Sequence, residues 1–258
     1  MSTSRAPAGA ALLPDDTSPY WAFYEDVAAA QVAEWAPRRP SRVLDLSGGR
    51  QRFAAQLVEA GHEVVQVRPT AADLPPAPPG PGRLLPVLAD SRSLGFLADA
   101  SVDAVLAEGR ALSMCLATEV TALDLHRVLR PGGRLLLVVD SLTTGLARLA
   151  DLGRWAELAD VPRADVVLVP PGPGDPDGTI TRCFWPEEVA ALLTGVGLEV
   201  EWVRPRTVLS QATVERAVEQ GGDTALATLV ATEVQLSTDR EGEAGGLHLV
   251  ASARRPSR

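Results

Sequence analysis

The sequence predicts a doubly wound α/β domain, a mostly parallel sheet with helices on both faces. Three observations predict it. Short apolar runs rich in Val and Leu recur at 41–47, 62–67, 84–89, 101–109 and 134–141. Strands covered on both faces read as such continuous runs, whereas half-exposed strands alternate. Helical patterns separate most of these runs, and the first two flank the amphipathic segment 51–61 at the spacing of a right-handed βαβ unit. The chain has 258 residues, 46% of them hydrophobic, enough for a sizeable core.

The elements follow in order. Residues 1–17 read as a disordered leader and 18–258 as a single domain. SPYWAFYEDVAAAQVAEWA (18–36) places Tyr20, Phe23, Tyr24, Val27 and Val32 near helical spacing, so a first helix precedes the sheet. SRVLDLS (41–47) is a buried strand, QRFAAQLVEAG (51–61) a helix ended by Gly61, and HEVVQV (62–67) the second strand. A second crossover helix belongs after it, but PTAADLPPAPPGPGR (69–83) cannot form one, because each proline lacks an N–H and clashes with the preceding turn. LLPVLA (84–89) and SVDAVLAEG (101–109) are strands three and four. CLATEVTALDLHRVLR (115–130) is an amphipathic helix stopped by PGG (131–133), and RLLLVVDS (134–141) is strand five.

The remaining third is less regular. A helix is expected over 146–160, a strand within DVVLVP, another at 179–184, a helix at 185–197 opened by Pro186, and a strand at 198–206. Two helices, ATVERAVEQ and DTALATLVATEVQLSTD, fall in a helical insertion at about 205–245, and 246–255 is the last strand.

Composition excludes several function classes. The net charge of −9 argues against an electrostatic grip on nucleic acid, which needs a positive face. All 24 basic residues are Arg, so no mechanism can use a catalytic Lys. Cys115 and Cys183 form no framework, and His62, His126 and His248 lie far apart without metal-ligand spacing. No apolar run reaches the roughly 18 residues that span a membrane. A cytoplasmic protein without metal or membrane partner is expected.

Ligands in doubly wound folds bind beyond the carboxyl ends of the strands, near the switch in strand order. The loops at 47–51, 68–70, 90–92 and 108–113 therefore matter most. Taken in order, VLDLSGG, GHEVVQV, ADSRSLGFLADASVDAVLAEG and LHRVLRPGGRLLLVVDS resemble the motifs of class I S-adenosylmethionine-dependent methyltransferases, best in HRVLRPGGRLLLV (126–138). The resemblance implies their Rossmann-like fold, a mostly parallel sheet with an antiparallel C-terminal strand, and S-adenosyl-L-methionine as cofactor.

Carried over residue by residue, the resemblance implies a cofactor site of Asp45, Ser47, Gly48, Gly49, Arg68, Asp90, Ser91 and Glu108. Asp45 holds the acid position of the first loop. Ser47 and Gln51 stand where the family has its first and third glycines, and Gly49 where it has the second. Arg68 stands where the family has the acid that accepts from the ribose hydroxyls; Arg has no acceptor and suits a phosphate or carboxylate. Asp90 fits the acid that binds the adenine amino group, and equally caps the turn that follows. Glu108 is a base or a partner for a substrate cation, with Ser113 and Met114 beside it. Tyr20, Trp21 and Tyr24 form either a lid or plain core.

Three functions are compatible with these residues. The leading one is methyl transfer to a small molecule. The second is a methyltransferase-fold protein without chemistry, serving a protein partner. The third, weaker, is an NAD(P) enzyme, in which Arg68 would suit a 2′-phosphate.

Overall fold

A computed structural model describes residues 18–48, 51–69, 78–164, 166–171, 178 and 180–257. Its first five strands are β1 (Arg42–Asp45), β2 (Glu63–Arg68), β3 (Arg83–Leu88), β4 (Val102–Ala107) and β5 (Leu129–Ser141). All are parallel and lie in the order β3-β2-β1-β4-β5. The chain therefore winds outward from β1 in one direction and from β4 in the other. The reversal of strand order falls between β1 and β4, and their carboxyl ends open the crevice where such folds bind ligands.

The last strand, β9 (His248–Arg254), runs antiparallel between β5 and β8 (Glu199–Arg206). The antiparallel C-terminal strand implied by the sequence is thus present. Two reversals make β8 parallel to β5, so Arg206 ends at the same edge of the sheet as Asp140 and Glu108, and His248 begins there. Asp140 pairs with His248 and also with Cys183 of β7 (Thr181–Phe184). Since β9 occupies one edge of β5, β7 must lie on the β4 side, past the end of β4. β6 (Val167–Val169) pairs antiparallel with β7 and completes a short hairpin there.

The apolar runs are buried as their pattern demands. Successive strand residues face opposite sides of the sheet. On β5, Leu135, Leu137 and Val139 enter one cluster, with Leu94, Leu125, Phe184 and Leu193. Leu136 and Val138 enter the other. There they meet Tyr20, Phe23, Tyr24, Val27, Val32 and Trp35 of α1 (Pro19–Trp35), and Phe53 and Leu57 of α2 (Gln51–Glu59). Tyr20, Trp21 and Tyr24 are core residues. α1 also packs along α7 (Gln211–Asp239).

Two expectations are corrected. The helix before β5, α3 (Thr118–Val128), stops ahead of the Pro-Gly-Gly turn, and β5 already begins at Leu129 with Pro131, Gly132 and Gly133 inside it. Leu129 pairs with Val102 at a register shift, which absorbs the turn as an irregularity of the strand. The helix expected at 146–160 is two, α4 (Leu142–Asp151) and α5 (Trp155–Asp160). Ser141 caps α4 by accepting from the Thr144 N–H, which pulls its start forward. The two late helices are present as expected within α7, which breaks between them at Gly222 in a non-helical conformation (φ 56°, ψ −143°). In the 69–83 crossover, residues 78–82 are not helical, as the prolines require; 70–77 and the leader 1–17 lie outside the described residues. α6 (Pro186–Gly195) opens at Pro186 as expected.

At the switch point the backbone is zipped shut. Leu46 N–H donates to Leu106 O (2.8 Å) and Gly109 N–H donates to Leu46 O (3.1 Å). A Cβ on Gly109 would lie 2.3 Å from the Leu46 carbonyl oxygen, so only glycine permits this approach. Gly109→Ala should therefore push the two loops apart and lower the unfolding free energy by roughly 1–3 kcal/mol, read as a reduced urea midpoint at unchanged slope.

Candidate functional site

The crevice is built from the ends of β1 and β2 on one side and of β4, β5 and β8 on the other. Asp45 ends β1 and is fully buried. Its Oδ1 accepts from the Ser47 N–H (2.8 Å) and its Oδ2 from Gln66 Nε2 (2.9 Å). Burial raises its pKa, opposed by these bonds from Ser47 and Gln66. Gln66 in turn accepts from Arg68 Nη1 at 3.1 Å, so the guanidinium at the end of β2 is oriented from the floor of the loop.

The anchored Asp45 holds the loop tightly and leaves Gly48 left-handed (φ +72°), with no atom of the described residues within 4 Å of where its Cβ would be. That is backbone a ligand can approach closely. Ser47 is buried, and its Oγ makes no hydrogen bond among the described residues. Gly49 lies outside the described residues; Gln51 opens α2. The site thus brings together Asp45, Ser47, Gly48, Arg68 and Glu108. Asp90 and Ser91 lie beyond the end of β3, next but one to β1. Asp90 accepts from the backbone N–H and guanidinium of Arg92 (2.9 and 2.8 Å), half exposed. It closes a turn there; no helix begins at this point.

The other half of the crevice is a buried polar network that the sequence reading largely missed. Arg206 and Glu108 are both fully buried and paired bidentately, at 2.8 Å for each contact. Arg206 Nε also donates to Gln31 Oε1 (2.6 Å) and Nη1 to the Tyr24 hydroxyl (3.3 Å). Tyr24 Oη lies 3.0 Å from His248 Nδ1. His248 Nε2 lies 3.2 Å from Asp140 Oδ1, and Arg110 Nη1 donates to both Asp140 oxygens (2.8 and 3.0 Å). The Asp140 N–H donates to Ser113 Oγ (2.8 Å). Arg110 adopts a positive φ of 55°, unusual for a side chain of its size.

Burial lowers the pKa of His248, with Asp140 opposing, so the imidazole is neutral. Its hydrogen bonds fix the tautomer: Nε2–H donates to the Asp140 carboxylate, and Nδ1 accepts from the Tyr24 O–H. Burial alone would raise Asp140; Arg110 and His248 more than offset it and hold it at about 2. Both oxygens of Glu108 are committed to Arg206, which counts against its expected role as a base or cation partner. Ser113 supports Asp140, and Met114 adds nothing to this network. The signal that pointed to the missed residues is positional: Asp140 and His248 are polar residues at the tips of largely apolar strands, and Arg206 is the last residue of β8.

The segment 44–137 matches the family model for a methyltransferase domain. No curated protein matches the sequence significantly. Among solved structures, the chain is similar to a Burkholderia thailandensis 1,6-didemethyltoxoflavin N1-methyltransferase bound to 1,6-didemethyltoxoflavin and S-adenosylhomocysteine. The two share 20% identity at a TM-score of 0.54, over 92% of this chain and 81% of that one. It is similar to a Methanosarcina mazei S-adenosylmethionine-dependent methyltransferase at 18% identity and a TM-score of 0.55, over 88% and 98%. A methyltransferase-fold protein of Haloferax volcanii, solved with the Trm112 methyltransferase activator, gives 14% and 0.54, over 92% of each chain. The resemblance read from the sequence holds: the chain has the class I methyltransferase fold.

Two outcomes follow from the buried groups. Arg206→Met strands the Glu108 carboxylate in a dry site and should cost about 3–5 kcal/mol, whereas the double variant Glu108→Leu/Arg206→Met should recover most of the loss in chemical denaturation. Acid should destabilise in two stages. Both His248 and Asp140 have folded pKa values below their unfolded ones, so the unfolded chain binds more protons and stability falls as pH falls. The first stage begins below about pH 6.5, with His62 and His126 lowered mainly by burial and adding in the same direction. The second follows Asp140, from the ordinary carboxylate range down to about 2. Urea midpoints from pH 7 to 3 measure both.

Proposed function

Starting from the methyltransferase-domain match across residues 44–137 and the class I fold around it, we propose an S-adenosyl-L-methionine-dependent methyltransferase that acts on a small molecule. The carrying observation is the loop after β1. Asp45 is anchored beneath it, Gly48 is left-handed and open, and the Ser47 hydroxyl is buried without a hydrogen bond among the described residues. Each is a feature that close approach of a ligand would use. When bound, S-adenosylmethionine supplies an electrophilic methyl group.

In this reading Asp45 fixes the loop, and Ser47, Gly48 and Gly49 meet the cofactor through backbone and hydroxyl. Asp90 and Ser91 face the adenine end. Arg68 meets the ribose as a donor to its hydroxyl oxygens, the reverse of the acceptor role that an acid plays. Glu108 acts through Arg206 at the acceptor side. Orienting the acceptor in line with the methyl group supplies much of the rate without any nucleophilic residue. The small-molecule acceptor is supported by the complex of the similar Burkholderia enzyme. A cytoplasmic location without membrane or nucleic-acid partner fits the acidic charge; among the described residues no helix is long and apolar enough to cross a membrane.

One observation favours the second reading, a fold without chemistry and with a protein partner. Arg68 replaces an acceptor by a donor, and the Glu108–Arg206 pair closes on itself. The NAD(P) reading is disfavoured by antiparallel β9, since dinucleotide folds of that kind continue the parallel order.

Calorimetric titration with S-adenosylhomocysteine separates the two. Micromolar binding is expected, weakened at least tenfold by Gly48→Val, which forces a β-branched residue into positive φ. Absence of binding at millimolar ligand would leave the second reading.

A further inference from the structure

The side chains from Arg206 to Arg110 form a ladder of alternating sign. Arg206 is a fixed cation, Tyr24 and His248 are neutral and hydrogen-bonded to each other, Asp140 is a fixed anion, and Arg110 is a second cation. Transfer of the Tyr24 proton to His248 Nδ1 would make a tyrosinate and an imidazolium. The tyrosinate would lie beside Arg206, whose guanidinium is 3.3 Å from the oxygen and 5.4 Å from the ring centroid. The imidazolium would lie against Asp140, 3.2 Å away. Each new charge thus forms between groups of opposite sign, already oriented and out of water, where preorganised electrostatics act most strongly. Plain packing requires none of this order.

We infer that Tyr24, His248 and Asp140 form a proton relay, in which the Tyr24 hydroxyl takes the proton given up by an N–H or O–H methyl acceptor. This rests on the methyltransferase reading. The acceptor lone pair forms the bond to the methyl carbon as the methyl–sulfonium bond breaks; that bond's electron pair stays on sulfur, and neutral S-adenosylhomocysteine leaves. The electron pair of the acceptor's own X–H bond stays on X, its proton passes to Tyr24 Oη, and the tyrosine proton passes to His248 Nδ1. Tyr24 is the catalytic residue. His248, Asp140, Arg110 and Arg206 are positioning residues. Glu108, the other candidate base at the crevice, has both oxygens held by Arg206. The hydroxyl of Tyr24 is one guanidinium away from Glu108, at the switch point between β1 and β4.

The acceptor class follows. An acceptor that loses a proton on methylation, such as a phenol, an imidazole or a secondary amine, uses the relay; a tertiary amine or thioether has no proton to give it. His248 must be neutral to receive a proton. The charged groups around it are Asp140 on β5, Arg110 after β4 and Arg206 on β8, with Tyr24 facing it from α1.

The test uses the full chain and methyl-labelled S-adenosylmethionine with phenol, catechol, imidazole and dimethylamine, against trimethylamine and dimethyl sulfide, with products read by mass spectrometry. Label is expected only on the proton-bearing acceptors. In Tyr24→Phe, kcat should fall at least about 100-fold, while the affinity for S-adenosylhomocysteine stays within threefold. The acid limb of the wild-type kcat–pH profile, set by His248, should be lost with it. Tyr24→Phe keeps the shape of the core, and its thermal midpoint checks folding; His248→Gln is the second variant and should lose the same limb. Transfer mainly to trimethylamine or dimethyl sulfide overturns the relay, as does Tyr24→Phe turning over within threefold of wild type. Label on none of the acceptors, from a protein that binds S-adenosylhomocysteine, overturns it too. Failure of wild type to bind S-adenosylhomocysteine sinks the methyltransferase reading itself.

Discussion

The Arg206–Glu108 pair is the contact around which the carboxyl edge of this protein is arranged. Two opposite charges lie in a site that no water reaches, and neither is tolerable there without the other. Their partners come from three separate parts of the chain. Glu108 follows β4, Arg206 ends β8, and α1 contributes Gln31 and Tyr24. The first helix, the central sheet and the late strand are therefore tied together by polar bonds as well as by apolar contact. Hydrophobic burial is non-directional; a bidentate guanidinium–carboxylate pair has one geometry. It fixes how α1 lies over the end of the sheet and thereby where Tyr24 presents its hydroxyl.

The same edge depends on a second, purely steric constraint. β1 and β4 approach closely enough at Leu46 and Gly109 that a single methyl group would not fit. This closeness sets the loop carrying Ser47 and Gly48 directly beside Glu108. Asp45 and Glu108 are near enough that the charge on Glu108 contributes to the raised pKa of Asp45. The half of the crevice that carries the Ser47–Gly48 loop and its charged half are thus one electrostatic unit.

Much of the fold was legible in the sequence because its signals are local. Apolar runs, proline exclusion and the βαβ spacing marked the five parallel strands, and the ordered motifs implied the antiparallel last strand. The corrections arose where tertiary pairing overrode local signals. Pro131-Gly132-Gly133 reads as a stop, yet β5 carries it because β4 pairs with Leu129 before it and Arg134 after it. The break at Gly221-Gly222, by contrast, was legible, because the non-helical backbone of Gly222 is a local property of glycine. At the site, the loop residues at 45–48 and Arg68 were found from the motif order. Gln31, Gln66, Arg206 and His248 were not, because their partners lie between 21 and 224 positions away in sequence. No pattern of spacing reports a contact that only the sheet order creates.

Charge balance explains how such a crowded edge stays stable. Three carboxylates, Asp45, Glu108 and Asp140, are matched by three guanidinium groups, Arg68, Arg110 and Arg206. Asp45 and Arg68 are linked through Gln66, whose amide can serve both at once: its N–H₂ donates to the acid and its oxygen accepts from the guanidinium. A site balanced in this way has no strong net field with which to draw in a ligand by charge alone. Under the proposed function, selection rests on shape and hydrogen bonding, at Gly48 and at the Ser47 hydroxyl. A proton taken up from the acceptor adds one positive charge to the network, and the ladder places that charge on His248, against the Asp140 carboxylate. That is the property a buried site needs if it is to handle protons without unfolding.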